Sequence, residues 1–371
     1  MENKDTLWDL FQKKQISRRS FVKSCVTIAG VMGLAPSMIP EIIKAAETKV
    51  LPPVIWLHAH ECTGCDETII RSQTPLASDL LLNMISMEYM DVLGAAAGAD
   101  VEHHMEATIQ KYKGQYIVIV EGAIPLAEDG IYCMVGGKTI LETFQHVAKD
   151  AAAIIEAGSC ATWGGIQAAR PNPTDSVAAT DAVSVGSVPV VKVPGCPPIP
   201  EVLTGTIMHF VLFGQLPPLD SEGRPKQFFG NRIHDTCYRR PFFDSGMYAE
   251  KFDDAGAKAG WCLYKVGCRG PVAYNTCGNM RWWNGLSYPI QSGAPCAGCS
   301  QPDFWDTDGI GISTGSFYDR LPGIPVTDTI AHADKVGMTL AGITTAGVVA
   351  HGIGSYFYHK KHEEKEASTE E

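Results

Sequence analysis

Glu61-Cys62-Thr63-Gly64-Cys65 follows directly on the apolar run Val54 to Leu57, and reading this stretch decides the fold. Two thiols at this spacing are half of a site, because a soft metal or an iron–sulfur cluster takes four ligands. The same pattern recurs twice. Cys160 lies in Gly158-Ser159-Cys160-Ala161-Thr162-Trp163-Gly164-Gly165 after the run Ala151 to Ile155, and Cys196 lies in Val193-Pro194-Gly195-Cys196-Pro197-Pro198 after Val188 to Val193. Each is a short apolar run of buried-strand type, then Gly or Pro, then Cys. In an open parallel sheet the carboxyl ends of the strands line the ligand-binding crevice, so three such ends bring their thiols together.

Outward from these strands, Tyr116 to Val120 reads as another, with helical stretches at Ser78 to Leu93, Val101 to Lys111, Thr139 to Lys149 and Pro200 to Phe213. The alternation over residues 50–230 predicts an α/β domain, a flavodoxin-like doubly wound parallel sheet. Glu121 ends a strand at the same crevice and reads as an acceptor for loop hydrogen bonds. Glu61, beside the first thiol, is the better candidate for a proton relay.

The whole chain, 371 residues with 45% hydrophobic composition, is long enough for two domains with a real core. Its net charge is −11, and the first 45 residues are basic, so the remainder is more acidic still. That excludes nucleic acid as a partner, since phosphate needs a basic surface. Twelve cysteines admit disulfides, zinc or iron–sulfur clusters. Close pairs such as Cys62/Cys65 and Cys296/Cys299 favour metal over a disulfide framework.

Residues 1–46 read as an unfolded leader. Ser17-Arg18-Arg19-Ser20-Phe21-Val22-Lys23 precedes a weakly apolar Gly/Ala-rich stretch, the layout of a twin-arginine export signal with cleavage near Ala45 or Ala46. Such signals generally accompany proteins that fold around a cofactor before export, which places the bulk of the protein outside the cytoplasmic membrane. Beyond a Pro/Gly linker, residues 231–320 lack strand patterning and are rich in Gly, aromatics and Cys, so metal ligation is expected to order them. Val336 to Tyr358 holds no Asp, Glu, Lys or Arg and reads as a single transmembrane anchor, with residues 359–371 a cytoplasmic tail. Gly342, Ala346, Ala350 and Gly354 form a small-residue stripe on it, suited to a membrane partner, and His351 lies one position round.

Setting aside Cys25 in the leader and the solitary Cys133, the ligands divide by region: Cys62, Cys65, Cys160 and Cys196; His234, Cys237, Cys262 and Cys268; and Cys277, Cys296 and Cys299. Zinc accounts for a four-ligand set and leaves the three-cysteine set unexplained, whereas iron–sulfur chemistry accommodates all three. Cys62-Thr63-Gly64-Cys65, Gly158-Ser159-Cys160 and Pro194-Gly195-Cys196-Pro197-Pro198 resemble the proximal-cluster motifs of the small subunit of membrane-bound nickel–iron hydrogenases. The runs Arg232 to Pro241 and Trp261 to Pro271 resemble the distal-cluster motif with its single histidine. Asn275-Thr276-Cys277 and Pro295-Cys296-Ala297-Gly298-Cys299 resemble the medial one, with Pro289 where four-iron relatives carry another thiolate.

The resemblance implies two [4Fe-4S] clusters, proximal and distal, and one medial [3Fe-4S] cluster. It implies electron transfer from hydrogen oxidation at a nickel–iron centre in a separate large subunit to a membrane cytochrome b and, through it, quinone. No catalytic residue is expected in this chain apart from the relay at Glu61. Gly64 and Gly165 stand where oxygen-tolerant relatives have extra cysteines, which implies an oxygen-sensitive enzyme. The alternatives are the small subunit of a hydrogen-sensing hydrogenase and an exported metal- or disulfide-stapled binding protein.

Overall fold

The computed structural model describes residues 6–32, 34–306 and 330–367. The remainder of the expected cysteine-rich domain, residues 307–320, and residues 368–371 of the expected tail lie outside the described residues, as do residues 1–5. The chain divides into two compact units, Met1–Tyr318 and Asp319–Glu371.

In the first unit, three helices come before the sheet: α1 (Leu7–Lys13), α2 (Arg18–Val31) and α3 (Ile39–Thr48). The sheet strands are β1 (Pro53–His58), β2 (Ser86–Met90), β3 (Ile117–Glu121), β4 (Ala153–Ala157) and β5 (Val190–Val193). They pair in parallel in the order β2-β1-β3-β4-β5, the flavodoxin-like arrangement. Every residue of β1, β3 and β4 is buried, which is why these strands read as unbroken apolar runs rather than alternating ones. The register aligns their ends. His58 pairs with Glu121, Glu121 with Ala157 and Ala157 with Val193, so the loops carrying the first thiol set leave the sheet in one row.

Helices α4 (Gly64–Ile70) and α7 (Gly158–Trp163) begin inside those loops. Between them run α5 (Ala99–Lys111) and α6 (Ile140–Ala148), the latter opened by a Thr139/Glu142 capping box. Helix α8 (Pro200–Phe213) starts on proline and ends at Gly214 with φ +70, a left-handed cap that glycine adopts without strain.

Two expectations are corrected. The helix expected over Ser78 to Leu93 breaks after a short turn and the π-helical Leu80–Met84. Residues 86–90 instead pair with β1 as the edge strand β2, from Pro53 opposite Ser86 to Trp56 opposite Met90. A leucine-rich run hid this short strand, and tertiary pairing overrode helix propensity.

The leader is folded. Its helices bury Leu7, Phe11, Phe21, Cys25, Ile28, Met32 and Ile42 in the same core as Leu203, Ile207 and Val211 of α8. Because α8 is apolar all round and the sheet covers only one of its sides, it needs a second layer.

In the C-terminal unit the described residues form one helix, α9 (Ile330–Ala367), which contains the expected span Val336 to Tyr358. Among the described residues, no helix is long and apolar enough to cross a membrane. Gly342, Gly347, Gly352, Gly354, Thr344, Thr345 and His351 dilute its aliphatic residues.

Between residues 231 and 306 the chain forms short helical turns and isolated bridges and no sheet strand. Ile233, Ala249, Leu263, Ala273 and Ile290 still join the main core, alongside Cys268, Cys277 and Cys296. Thiols occupy positions that aliphatic side chains would otherwise fill.

Candidate metal centres

Cys62 stands exposed on the loop after β1, and Cys65 is buried one residue into α4. Cys160 comes from α7 and Cys196 from the loop after β5. Electrostatic interaction among the four thiols marks them as neighbours. Burial, then the Cys62 charge, pushes Cys160 up to about 11. Burial also raises Cys65 and Cys196, with Glu121 adding to the effect at Cys65. Buried Cys65 and half-buried Cys160 and Cys196, each raised by burial and by neighbouring thiols, become thiolates readily only around a positive centre.

The backbone leaves room for such a centre. A Cβ on Gly158, where φ is +85, would lie 2.5 Å from Cys65 Sγ; one on Gly165, where φ is +64, would lie 2.6 Å from Cys160 Sγ. Side chains there would fill the cradle, and the left-handed backbone disfavours them as well. Gly64 lies against Cys62, a Cβ there falling 3.2 Å from its Sγ.

The second set surrounds a cavity lined by His234, Cys237, Cys262 and Cys268 together with Arg239 and Arg240. Burial, then Arg240, lowers the His234 pKa, which favours the neutral imidazole a metal requires. Phe243 holds that ring edge-on, centroids 4.4 Å apart. Gly270 N–H donates to Cys268 Sγ at 3.5 Å, and the Tyr288 hydroxyl reaches Cys237 Sγ at 3.9 Å.

The third set, Cys277, Cys296 and Cys299, lies between the other two. On one side Cys299 receives a backbone hydrogen bond from Cys196, and Ser159 Oγ donates to the Cys299 carbonyl while accepting from Gly195 N–H at 2.9 Å. On the other side Cys296 N–H donates to Cys268 Sγ at 3.4 Å. Burial pushes Cys277 up to about 12, with Cys299 adding to it. Pro289 is exposed between buried Tyr288 and Ile290. Further on, Phe304 and Trp305 pack on Ala169 beside Trp163, and Arg170 N–H donates to Asp306 at 2.9 Å. The end of the cysteine-rich region is thereby fastened to the loop that follows Cys160.

All twelve cysteines are free thiols. Cys25 is buried in α2, and Cys133 packs beside the second core cluster, both apart from the three sets. Glu121 is buried, and its Oε1 accepts from Cys65 N–H at 2.9 Å, the loop-binding part expected of it. Burial, then Asp66, lifts its carboxyl to about 8. Glu61 is half-buried and accepts from Thr63 N–H, and burial raises its pKa.

Sequence reasoning missed the ionic cluster beneath this set. His58, at the end of β1, binds Asp66 Oδ2 through Nε2 at 2.8 Å and Asp91 through Nδ1. Burial alone would lower its pKa, but the two carboxylates raise it to about 10, so it stays protonated. The available signal was an ionisable residue ending a wholly buried strand, with an acid directly after the second thiol.

A flavodoxin-like domain with three cysteine-containing sets in series has the donor chemistry of the class of iron–sulfur subunits. Residues 229–310 match the family described as the C-terminal part of the NiFe/NiFeSe hydrogenase small subunit, and residues 62–210 match NADH ubiquinone oxidoreductase, 20 Kd subunit. The chain is 52% identical to the uptake hydrogenase small subunit of Azotobacter vinelandii, over 95% of its own length and 96% of the relative's. Against that of Cupriavidus necator it is 50% identical, over 95% of each. A solved [NiFeSe]-hydrogenase chain from Desulfomicrobium baculatum aligns with TM-score 0.66 at 34% identity, covering 71% of this chain and 99% of that one. The chain belongs to the family of nickel–iron uptake hydrogenase small subunits. The catalytic site of such an enzyme lies in its large subunit, with which the small subunit pairs, and the iron–sulfur clusters belong to the small one.

Proposed function

We propose that the chain carries electrons from hydrogen oxidation in the large subunit to a membrane cytochrome b and thence quinone. The serial placement of the three sets carries this reading: each touches the next, with the three-cysteine set in the middle. When bound, iron–sulfur clusters supply one-electron storage at each station. Cys62, Cys65, Cys160 and Cys196 would hold a proximal [4Fe-4S] cluster and Cys277, Cys296 and Cys299 a medial [3Fe-4S] cluster. His234, Cys237, Cys262 and Cys268 would hold a distal [4Fe-4S] cluster. A neutral imidazole in place of one thiolate makes the last site less negative, which favours delivery outward.

Around these sites the chain's own residues do the positioning. Glu121 fixes the backbone at Cys65, the glycines leave space at the sulfurs, and Gly270 and Gly298 donate backbone N–H groups to Cys268 and Cys296. Glu61 exchanges protons beside Cys62. The carboxyl edge of the sheet, where Cys62 is exposed and Val92 and Leu93 lie open on the loop after β2, is covered by the large subunit.

Export by the twin-arginine route places the assembly on the outer face of the cytoplasmic membrane. Helix α9 serves as its anchor there, its modest apolarity offset by close packing of the Gly342/Ala346/Ala350/Gly354 stripe on a membrane partner. Gly64 and Gly165, each against a ligand sulfur, leave the proximal site as a four-cysteine site, which corresponds to an oxygen-sensitive enzyme.

Electron paramagnetic resonance of the oxidised complex extracted from membranes tests the reading. A three-iron signal beside a nickel signal is the expected result. An iron-free sample containing zinc would overturn it in favour of a stapled binding protein, and a soluble cytoplasmic complex would favour a hydrogen sensor.

A further inference from the structure

The loop that follows Cys277 is strained. Arg281, Trp283 and Asn284 all take left-handed backbone, with φ of +56, +54 and +57, and none of them is glycine. Residues of this bulk hold such a conformation only where their surroundings over-determine it. Here they do. Trp282 N–H donates to the Ser287 carbonyl at 2.8 Å, and Leu286 N–H donates to the Trp282 carbonyl at 2.9 Å. Arg71, next after α4, lies over the Trp283 ring at 4.8 Å, and that ring meets the Trp282 ring edge-on, centroids 6.0 Å apart. The loop so braced turns one side chain inward: Trp282 packs against the main core, whereas Leu286 stands exposed.

Trp282 Nε1 is buried and donates to no oxygen or nitrogen among the described residues. A buried donor left so is costly. What it faces is Cys277. Burial, then Cys299, raises that thiol, and the Trp282 indole acts against them. A neutral thiol is a weak acceptor and an ionised sulfur a strong one, so the indole N–H suits the thiolate of a cluster ligand. Elsewhere in the set the backbone supplies the donor, as Gly298 N–H does to Cys296 Sγ at 3.3 Å.

We propose, on the reading of Cys277, Cys296 and Cys299 as ligands of an iron–sulfur cluster, that Trp282 is a positioning residue whose indole N–H donates to Cys277 Sγ and raises the reduction potential of the medial station. A hydrogen bond to sulfur stabilises the more negative, reduced form over the oxidised one. The electron arrives from hydrogen oxidation by way of the first thiol set and leaves toward the His234 set, and the indole keeps its proton throughout. The strained loop holds the ring at the sulfur.

The test is a potentiometric titration of the three-iron electron paramagnetic resonance signal in the purified complex, for the wild type, Trp282→Phe and Trp283→Phe. Trp282→Phe keeps an aromatic ring on the core and removes the N–H. It is expected to lower the reduced-to-oxidised ratio at fixed potential by about tenfold, the effect of one charge-assisted hydrogen bond, with iron content unchanged. For one electron that is a downward shift of about 59 mV. An equal shift in Trp283→Phe overturns the proposal, because it assigns the effect to the packing of the loop.

A second measurement needs no substitution, so the proposal stands or falls on it even where the variant loses iron. In complex made with tryptophan isotopically labelled at the indole nitrogen, pulsed electron paramagnetic resonance should show coupling of that nitrogen to the three-iron centre. A native spectrum without the coupling, or an unshifted midpoint in Trp282→Phe with iron retained, overturns the proposal while the cluster reading stands. A native complex with no three-iron signal removes that reading and the proposal with it.

Discussion

Replacing His58 by Gln should cost stability in a strongly pH-dependent way. His58 is 5% exposed and lies between the Asp66 and Asp91 carboxylates. Its pKa rises from 6.5 in the unfolded chain to about 10. At about 1.4 kcal/mol per pH unit the shift corresponds to an upper figure of about 5 kcal/mol, within the roughly 3–5 kcal/mol that breaking a buried pair costs. For a unit of this size that is a fall of roughly 5–10 °C in Tm.

The sign follows from the direction of the shift. The folded state holds its proton more tightly than the unfolded chain, so the contribution is complete below about pH 6.5 and is lost as pH climbs toward 10. Thermal scans of the holo-complex at one fixed rate, read by tryptophan fluorescence, should show the widest gap between wild type and variant at pH 6. The gap should narrow steadily by pH 9.5. Trp56, stacked 6.4 Å from His58, sits where the change occurs. A gap that stays constant across this range, or widens, would refute a charged His58.

Gly158→Ala should lower iron content and erase the proximal signal, because its methyl group would meet Cys65 Sγ at 2.5 Å in a left-handed backbone that costs about 1–3 kcal/mol; full iron loading would contradict the cradle. His234→Cys should slow hydrogen oxidation with a quinone acceptor while leaving hydrogen–deuterium exchange at the large subunit intact, and an unchanged quinone rate removes the role given to the imidazole. Glu61→Gln should depress turnover and hydrogen–deuterium exchange together without loss of iron; equal rates would rule out the relay. The native enzyme should stop within minutes of exposure to air, and sustained hydrogen oxidation in air would refute an ordinary proximal site.

Where both sides of an element are buried, its sequence was legible. Val54 to Leu57 and the run before Cys160 could hardly be anything but central strands, and together with the edge strand before Cys196 their following turns placed the first thiol set. The second and third sets could be separated by region, but their order in space could not, since the contacts that join Cys196 to Cys299 and Cys268 to Cys296 leave no periodic trace. The His58 cluster was hidden for a similar reason: its partners lie 8 and 33 residues away, at no recurring interval. Edge strand β2 was mistaken for helix because it is short, only its last two residues are buried, and it follows a run of leucines. The leader was read as unfolded on the strength of its motif. The missed signal lay in α8, whose apolar circumference required a second covering layer.

The clasp between Arg170 and Asp306, with Phe304 and Trp305 lodged beside Trp163, carries a consequence for the order of assembly. The loop bearing Cys160 is synthesised more than a hundred residues before the segment that closes over it. The contact joins residues 136 apart in sequence, and such contacts form late because loop closure must precede them. The first thiol set is therefore complete in sequence long before it is sealed in space. That interval leaves a window, ending only when the last cysteine-rich turns are made, during which metal can enter.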